Sequence, residues 1–375
     1  MAESLDMKPL VEPGRELIGD ENERYSRHLL IPDLDAIGQQ RILNAKVLVI
    51  GAGGLGSPTI MYLAAAGVGE IGIVDFDRVD LSNLQRQIIH QQNDLGNFKA
   101  QSAKEKVLAQ NPNLKVNTYE FHLDTTNALE IFRNYDLIID CTDNFATRYL
   151  INDAAALLGK PYIWGSIYRF DGQATIFWSK FGPCYRCLHP TPPPPGSVPS
   201  CAEGGVLGVL CGSIGSIQAT EALKLITGIG TNLLGTLLIY DAVNSTFEKV
   251  EIKKNPNCSI CSESQQALLP DYEAFCGLSD AITAEQLEKL TGYLLIDVRE
   301  PAEHAELAIP GSILIPKGKF EDGSAFAQIP RNREIILHCR SGVRSGDCLN
   351  LMKSAGYQNI KHLKGGILAW KERSK

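Results

Sequence analysis

The stretch "KVLVIGAGGLGSP" at residues 46–58 constrains the fold of this chain more than any other. Its apolar, β-branched run reads as a buried strand. Gly51, Gly53 and Gly56 follow in G-x-G-x-x-G spacing, and the residues after them begin a helix. A strand that passes through glycines into a helix is the start of a crossover, which parallel strands need and hairpins do not. The order then repeats. "EIGIVDFD" is a second apolar run and ends in Asp75 and Asp77; "YDLIIDCTDN" is a third and leads to Asp143 and Asn144. This alternation predicts an α/β fold with a doubly wound, mostly parallel sheet. "DGQATIFW", "GTLLIYDA" and "STFEKVEI" are expected as later strands, partly antiparallel.

The chain has 375 residues, enough for two or three domains at roughly 100–200 residues each. Residues 1–20 are expected to be a flexible lead-in, and a helical pattern follows over "ENERYSRHLLIPDLDAIGQQRILNA". A first domain is expected over residues 21–262, a linker over 263–280 and a second, small α/β domain over 281–375. Thr283 and Gln286 fit a capping box at the start of that second domain. The formal net charge of −7 gives no basic footprint for nucleic acid. The N-terminus lacks the apolar core of a signal peptide, and no apolar run reaches the ~20 residues that span a bilayer. A cytoplasmic protein is expected. Ten cysteines in that compartment suit metal binding or catalysis better than a disulfide framework.

Glycines permit a tight turn and close approach of backbone to phosphate, and the helix start offers free N–H groups. With Asp75 placed to reach a ribose, NAD binding is one reading. The residues that follow favour a nucleoside triphosphate. "DFDRVDLSNLQRQ" supplies Asn83, Gln85 and Arg86, and Lys99 follows in "LGNFKAQSA". Such cations suit a polyphosphate whose charge shifts during reaction. Asp143 offers a hard oxygen ligand for Mg²⁺.

Taken in order, "GAGGLG", "VDFDRVDLSNLQRQ", "DCTDN", "PCYRC" and "NPNCSIC" resemble the MoeB/ThiF adenylyltransferases, relatives of the ubiquitin-activating enzymes. The likeness covers roughly residues 20–265 and implies a Rossmann-like domain that binds ATP. It implies that Gly51, Gly53, Gly54, Gly56, Asp75 and Asp77 surround the nucleotide. Ser82, Asn83, Leu84, Gln85, Arg86 and Lys99 would hold the triphosphate. Asp143 would place Mg²⁺ and Asn144 would lie beside the nucleotide. Arg27, in "RYSRH", matches an arginine contributed by a neighbouring subunit, which implies a homodimer; a surface salt bridge is the other reading.

Cys184 and Cys187 form one C-x-x-C, and Cys258 and Cys261 another. Four thiolates at such spacing suit tetrahedral Zn²⁺ in a closed, structural site; a redox pair is the rival reading. Cys201 lies in "VPSCAEGG" beyond a proline-rich crossing loop, where the family carries a cysteine. In ubiquitin-type relatives that cysteine takes the acyl group as a thioester, and the alternative is a small buried residue. Cys141, Cys211, Cys276 and Cys348 are read as packing or linker residues.

The last motif is "HCRSGVRS", with Cys339, Arg340, Ser341, Gly342, Val343 and Arg344 between a strand and a helix. Converging N–H groups, a helix start and arginines lower a thiol pKa, and the thiolate is the nucleophile. A phosphatase loop has a similar composition but places its arginine one residue later. "LIDVREPAEH", "IPGSILIP", "HCRSGVRS" and "GGILAW" together resemble a single rhodanese domain, in which Cys339 carries a persulfide and Asp297 and Arg299 support the fold.

The two resemblances imply one function. ATP would adenylate the C-terminal glycine of a ubiquitin-like sulfur carrier, similar to MoaD or ThiS and ending Gly-Gly. A Cys339 persulfide, charged by thiosulfate or a cysteine desulfurase, would then yield a thiocarboxylate for molybdopterin, thiamine, cysteine or tRNA thiolation. Arg86, Asp143, Cys201 and Cys339 are the candidate catalytic residues. Activation of a ubiquitin-like protein through a Cys201 thioester is the alternative, and a non-catalytic binding module is a third reading.

Overall fold

The computed structural model describes residues 8–193, 205–262, 267–269, 271–276 and 280–373. The chain forms two compact units, Met1–Tyr272 and Glu273–Lys375.

The first unit is built on an eight-stranded sheet. In chain order its strands are β1 (Lys46–Ile50), β2 (Glu70–Val74), β3 (Lys115–Tyr119), β4 (Leu137–Asp140), β5 (Tyr162–Tyr168), β6 (Asp171–Phe177), β7 (Thr236–Asp241) and β8 (Thr246–Glu251). Their spatial order is 3-2-1-4-5-6-7-8. Strands β3 to β5 across the centre pair in parallel, and β5–β6, β6–β7 and β7–β8 are antiparallel. Val47, Leu48, Val49 and Ile50 are all buried, because helices cover both faces of a central parallel strand. The strand order reverses beside β1. In a doubly wound sheet that leaves a crevice past the carboxyl ends of β1 and β4, where ligands bind.

The helix Gly56–Ala66 packs against Gly208–Thr227, a 20-residue helix that ends on Gly228 in the left-handed conformation. Among the described residues, no helix is long and apolar enough to cross a membrane.

Two segments differ from the sequence expectation. The lead-in is anchored from residue 10 onward: Leu10 N–H donates to Leu225 O at 2.9 Å and Val11 is buried. Arg15 grips Glu21 through both guanidinium nitrogens at 2.6 and 2.7 Å. The helical pattern beyond it breaks into Glu21–Arg24, Ser26–Leu29 and Asp35–Asn44, and Pro32, which cannot continue a helix, stands in the gap between the last two. In the expected linker, Tyr272 is buried at the start of a short helix, Tyr272–Phe275, and its hydroxyl donates to Asp153 at 2.8 Å. Apolar and aromatic residues in both segments have a surface to dock on, which composition alone does not show.

The second unit holds a parallel sheet of β9 (Ala281–Ile282), β10 (Leu294–Asp297), β11 (Ile313–Leu314), β12 (Ile335–His338) and β13 (Ile360–Leu363), in the order 11-10-12-13-9. Side chains alternate between its faces. Ile335 and Leu337 join one core with Ile296, Phe320 and Met352, while Ile336 joins another with Leu287, Leu363 and Ile367. Thr283 and Gln286 make the expected capping box.

Candidate active sites and metal centre

A cleft opens where β1 and β4 end. Gly51, Gly53, Gly54, Asp75, Asp77, Arg86, Lys99, Asp143 and Asn144 all line it. Gly51 has φ of 95°, and a side chain there would press on the Cys141 carbonyl. Gly56 does not line the cleft: a β-carbon on it would collide with the Gly51 carbonyl oxygen. The loop therefore closes only on glycine at these points. Around Gly53 a β-carbon would meet one atom, at 3.6 Å, so that wall is open to a ligand.

Both sides of the Ala52 peptide are pinned. Its N–H donates to Asp75 Oδ2 at 2.8 Å, and its carbonyl meets His90 Nε2 at 2.9 Å. His90 Nδ1 lies 2.9 Å from Ser102 Oγ, and burial pushes the imidazole below its ordinary pKa. The neutral ring therefore gives its Nε2 hydrogen to Ala52 and accepts from Ser102. Burial raises the Asp75 carboxyl, and the Lys99 charge opposes that shift. Lys99 is buried at the first turn of the helix Lys99–Gln110 and pairs with Asp77 at 2.9 Å. Asp143 is exposed on the cleft wall and makes no hydrogen bond or ion pair among the described residues. Asn144 caps the helix Phe145–Leu157 by accepting from Thr147 N–H at 2.8 Å.

Ser82, Asn83, Leu84 and Gln85 do not line the cleft. Asp80 accepts from Ser82 N–H, Asn83 accepts from Asp80 N–H, and the Ser82 carbonyl holds Arg86 at 3.1 Å. They form the turn that carries Arg86. Arg27 is exposed on the helix Ser26–Leu29 and does not line the cleft. The sequence reading missed Phe76, Gln87, Phe121, His122, Thr142 and Arg148, which also line the cleft. Of these, Arg148 donates to the Thr142 carbonyl at 2.9 Å, while Asp140 accepts from both the Thr142 N–H and its hydroxyl. The turn that presents Asp143 is thus clamped from two sides.

Cys184, Cys187, Cys258 and Cys261 converge, with all four sulfurs within 4.8 Å of one another. Three of the Sγ–Sγ distances are 3.8, 3.5 and 3.4 Å. A tetrahedral ion about 2.3 Å from each sulfur sets edges of about 3.8 Å, which matches. Hydrogen bonds from Cys184 and Cys261 hold Cys187 low, while Cys187 and Cys258 drive Cys184 upward. Four thiolates this close need a cation between them. Beside the cluster, Arg186 makes a buried two-point pair with Asp153 at 2.9 and 2.8 Å, and Tyr272 meets the same carboxylate. Cys201 lies outside the described residues; Cys141, Cys211, Cys276 and Cys348 are all buried.

In the second unit, Cys339 follows β12 and its sulfur is buried at the start of the helix Val343–Ser354. Burial alone would raise this thiol. The Ser345 hydroxyl and the N–H groups of Ser345, Gly342 and Ser341 outweigh it and leave the pKa lowered. Gly342 N–H donates to Sγ at 3.1 Å. Arg344 is not left for an incoming anion: Glu303 takes both its terminal nitrogens at 2.7 Å. Arg340 is exposed at the mouth of the loop. Asp297 is fully buried, bound by Arg299 at 2.6 Å and His304 at 2.8 Å, and so ties β10 to the chain after it.

Residues 25–260 match the ThiF family, and residues 282–373 match the rhodanese-like domain. The chain belongs to the ThiF family and carries a C-terminal rhodanese-like domain. This ThiF–rhodanese chain is 52% identical to the probable adenylyltransferase/sulfurtransferase MoeZ of Mycobacterium tuberculosis (strain ATCC 25618 / H37Rv), over 98% of its own length and 97% of that protein. It is 40% identical to the adenylyltransferase and sulfurtransferase MOCS3 of Drosophila ananassae, over 95% of this chain and 84% of the relative. Among solved structures it is similar to E. coli MccB, with a TM-score of 0.58, 22% identity, and coverage of 64% of this chain and 75% of that one. That last likeness speaks for the fold alone.

Proposed function

We propose that this chain adenylates the C-terminal glycine of a ubiquitin-like sulfur-carrier protein and then converts it to a thiocarboxylate. The observation that carries this reading is the presence in one chain of a cleft lined by glycines, Arg86 and Lys99 and, in the other unit, a low-pKa thiol loop. ATP occupies the cleft, with its phosphates at the glycine loop and its ribose at Asp75. A carrier carboxylate oxygen attacks the α-phosphorus, the bond to the β-phosphate breaks, and pyrophosphate leaves. Arg86 and Lys99 stabilise charge on the phosphates. The partner subunit of a homodimer adds Arg27 to the same charge field. Asp143, an exposed carboxylate on the cleft wall, would hold Mg²⁺, which supplies further neutralisation of phosphate charge when bound. Cys184, Cys187, Cys258 and Cys261 would hold Zn²⁺ in a site with no open position, and its part is structural.

The Cys339 thiolate attacks the outer sulfur of thiosulfate or of a cysteine desulfurase's persulfide; the donor's S–S bond breaks, sulfite or the desulfurase's thiolate leaves, and Cys339 holds the sulfur as a persulfide. The outer sulfur attacks the acyl carbon, the carbon–oxygen bond breaks and AMP leaves. Attack of the Cys201 thiolate on Cys339 Sγ then expels the carrier thiocarboxylate. The resulting disulfide between Cys201 and Cys339 is reduced by an external thiol. The test is ATP–pyrophosphate exchange across a panel of ubiquitin-like carriers. Exchange is expected with an intact Gly-Gly end and absent when the last glycine is removed. Equal exchange with the truncated carrier would refute the reading.

A further inference from the structure

The Ser345 hydroxyl has one hydrogen and three neighbours. Cys339 Sγ lies 3.5 Å away, the Gly342 carbonyl 3.1 Å and His362 Nδ1 3.3 Å. His362 stands on β13 beside the helix that carries Ser345 and is half-buried. If Nδ1 is bare, it accepts, and the hydroxyl hydrogen is drawn away from the sulfur. If Nδ1 carries a hydrogen, it donates, and the hydroxyl is free to point at Sγ.

We propose that His362 is a positioning residue for Cys339: a proton at Nδ1 turns the Ser345 hydroxyl onto the sulfur and favours its anionic form. This rests on Cys339 being the sulfur-carrying residue. The Gly342 carbonyl is the hydroxyl's other acceptor, and it is neutral. Hydrogen bonds to charged acceptors are stronger than neutral ones, so the effect is largest on a thiolate or persulfide. The sulfur then stays nucleophilic at a pH where an ordinary thiol is protonated.

The charged surroundings are few. Burial pushes His362 below the ordinary 6.5, and Asp280 on the approach to β9 pulls the other way. Asp280 shares its charge with Lys353 from the helix. Around Cys339 stand Arg344, itself paired with Glu303, and the buried Cys348. His338, next in sequence, is held neutral down to about 4 by burial. His362 is therefore the imidazole in this group whose change of charge, held below the ordinary 6.5 by burial, bears on Ser345.

The experiment is the rate of Cys339 alkylation by iodoacetamide in the full chain, read by peptide mass across about pH 5 to pH 9. The native chain is expected to show two inflections, the lower one below pH 6.5. In His362→Phe the lower inflection disappears and the rate at about pH 6 falls about tenfold. His362→Asn offers an N–H at every pH, so its rate at about pH 6 stays near native with no lower inflection. Retention of the lower inflection in His362→Asn overturns the proposal, and that variant decides the matter if His362→Phe does not fold. No carrier, ATP or sulfur donor is present, so a negative result removes the role of His362 without touching that of Cys339.

Discussion

The two loops of this chain start from the same device and end in opposite uses. Each lies at the carboxyl end of a central parallel strand, contains a glycine with φ near 100° (95° at Gly51, 101° at Gly342) and leads into a helix. At the glycine loop the surrounding wall is open, and Arg86 and Asp143 face a cleft. At the thiol loop the N–H groups are already spent on Cys339, and Arg344 is spent on Glu303. The difference is one of occupancy by the protein itself. An open loop with cations at its rim receives a large polyanion; a loop closed on its own sulfur stabilises a resident anion.

The largest effect that separates the two is steric. Gly56→Ala forces a methyl group onto the Gly51 carbonyl and should weaken ATP binding by more than about 100-fold, measured by calorimetry. Sulfur transfer from thiosulfate to cyanide, which uses the second unit alone, should be unchanged. A fall in both would mean that the loops are not independent.

Next is the buried Asp297–Arg299 pair. Asp297→Ala leaves a buried guanidinium without its partner and should cost the second unit about 3–5 kcal/mol in denaturant unfolding. The first unit's transition should not move.

A smaller contrast appears on acidification. Asp75 and Asp297 share an ordinary value of 3.8 and depart from it in opposite directions. Burial raises Asp75. Burial would raise Asp297 too, but Arg299 and His304 outweigh it and hold it low. A depressed carboxyl stabilises the fold above its unfolded value, and that contribution is lost as pH falls through the lower folded value. A raised carboxyl costs stability while charged, so its protonation relieves the fold but removes the acceptor proposed for the ribose. As pH falls, ATP binding should therefore begin to weaken while the pH is still above 3.8, whereas the Asp297 contribution is lost only below 3.8. Loss of the second unit's fold before loss of ATP affinity would reverse the assignment.

The sequence made visible what is contiguous. Gly51, Gly53, Asp75, Arg86, Lys99 and Asp143 come from short motifs, and one cleft gathers them. The two C-x-x-C pairs also meet, because the loops after β6 and β8 lie close together. What stayed hidden comes from distant partners. Nothing near His90 announces that it will hold the Ala52 carbonyl, and nothing near Glu303 announces that it will neutralise Arg344. Val11 and Tyr272 sit in stretches that read as lead-in and linker; each is buried by a surface set elsewhere in the chain. The Cys201 loop lies outside the described residues, so its thiol stands on sequence alone.

The central claim is that activation and sulfur delivery are separate acts of one chain. Its most direct measurement is the carrier's mass after incubation of Cys339→Ala with ATP, a Gly-Gly-ended carrier and thiosulfate, run beside ATP–pyrophosphate exchange. The account predicts undiminished exchange and no carrier with its terminal oxygen replaced by sulfur. Thiocarboxylate formed at the native rate by Cys339→Ala, with no added sulfide, would contradict it.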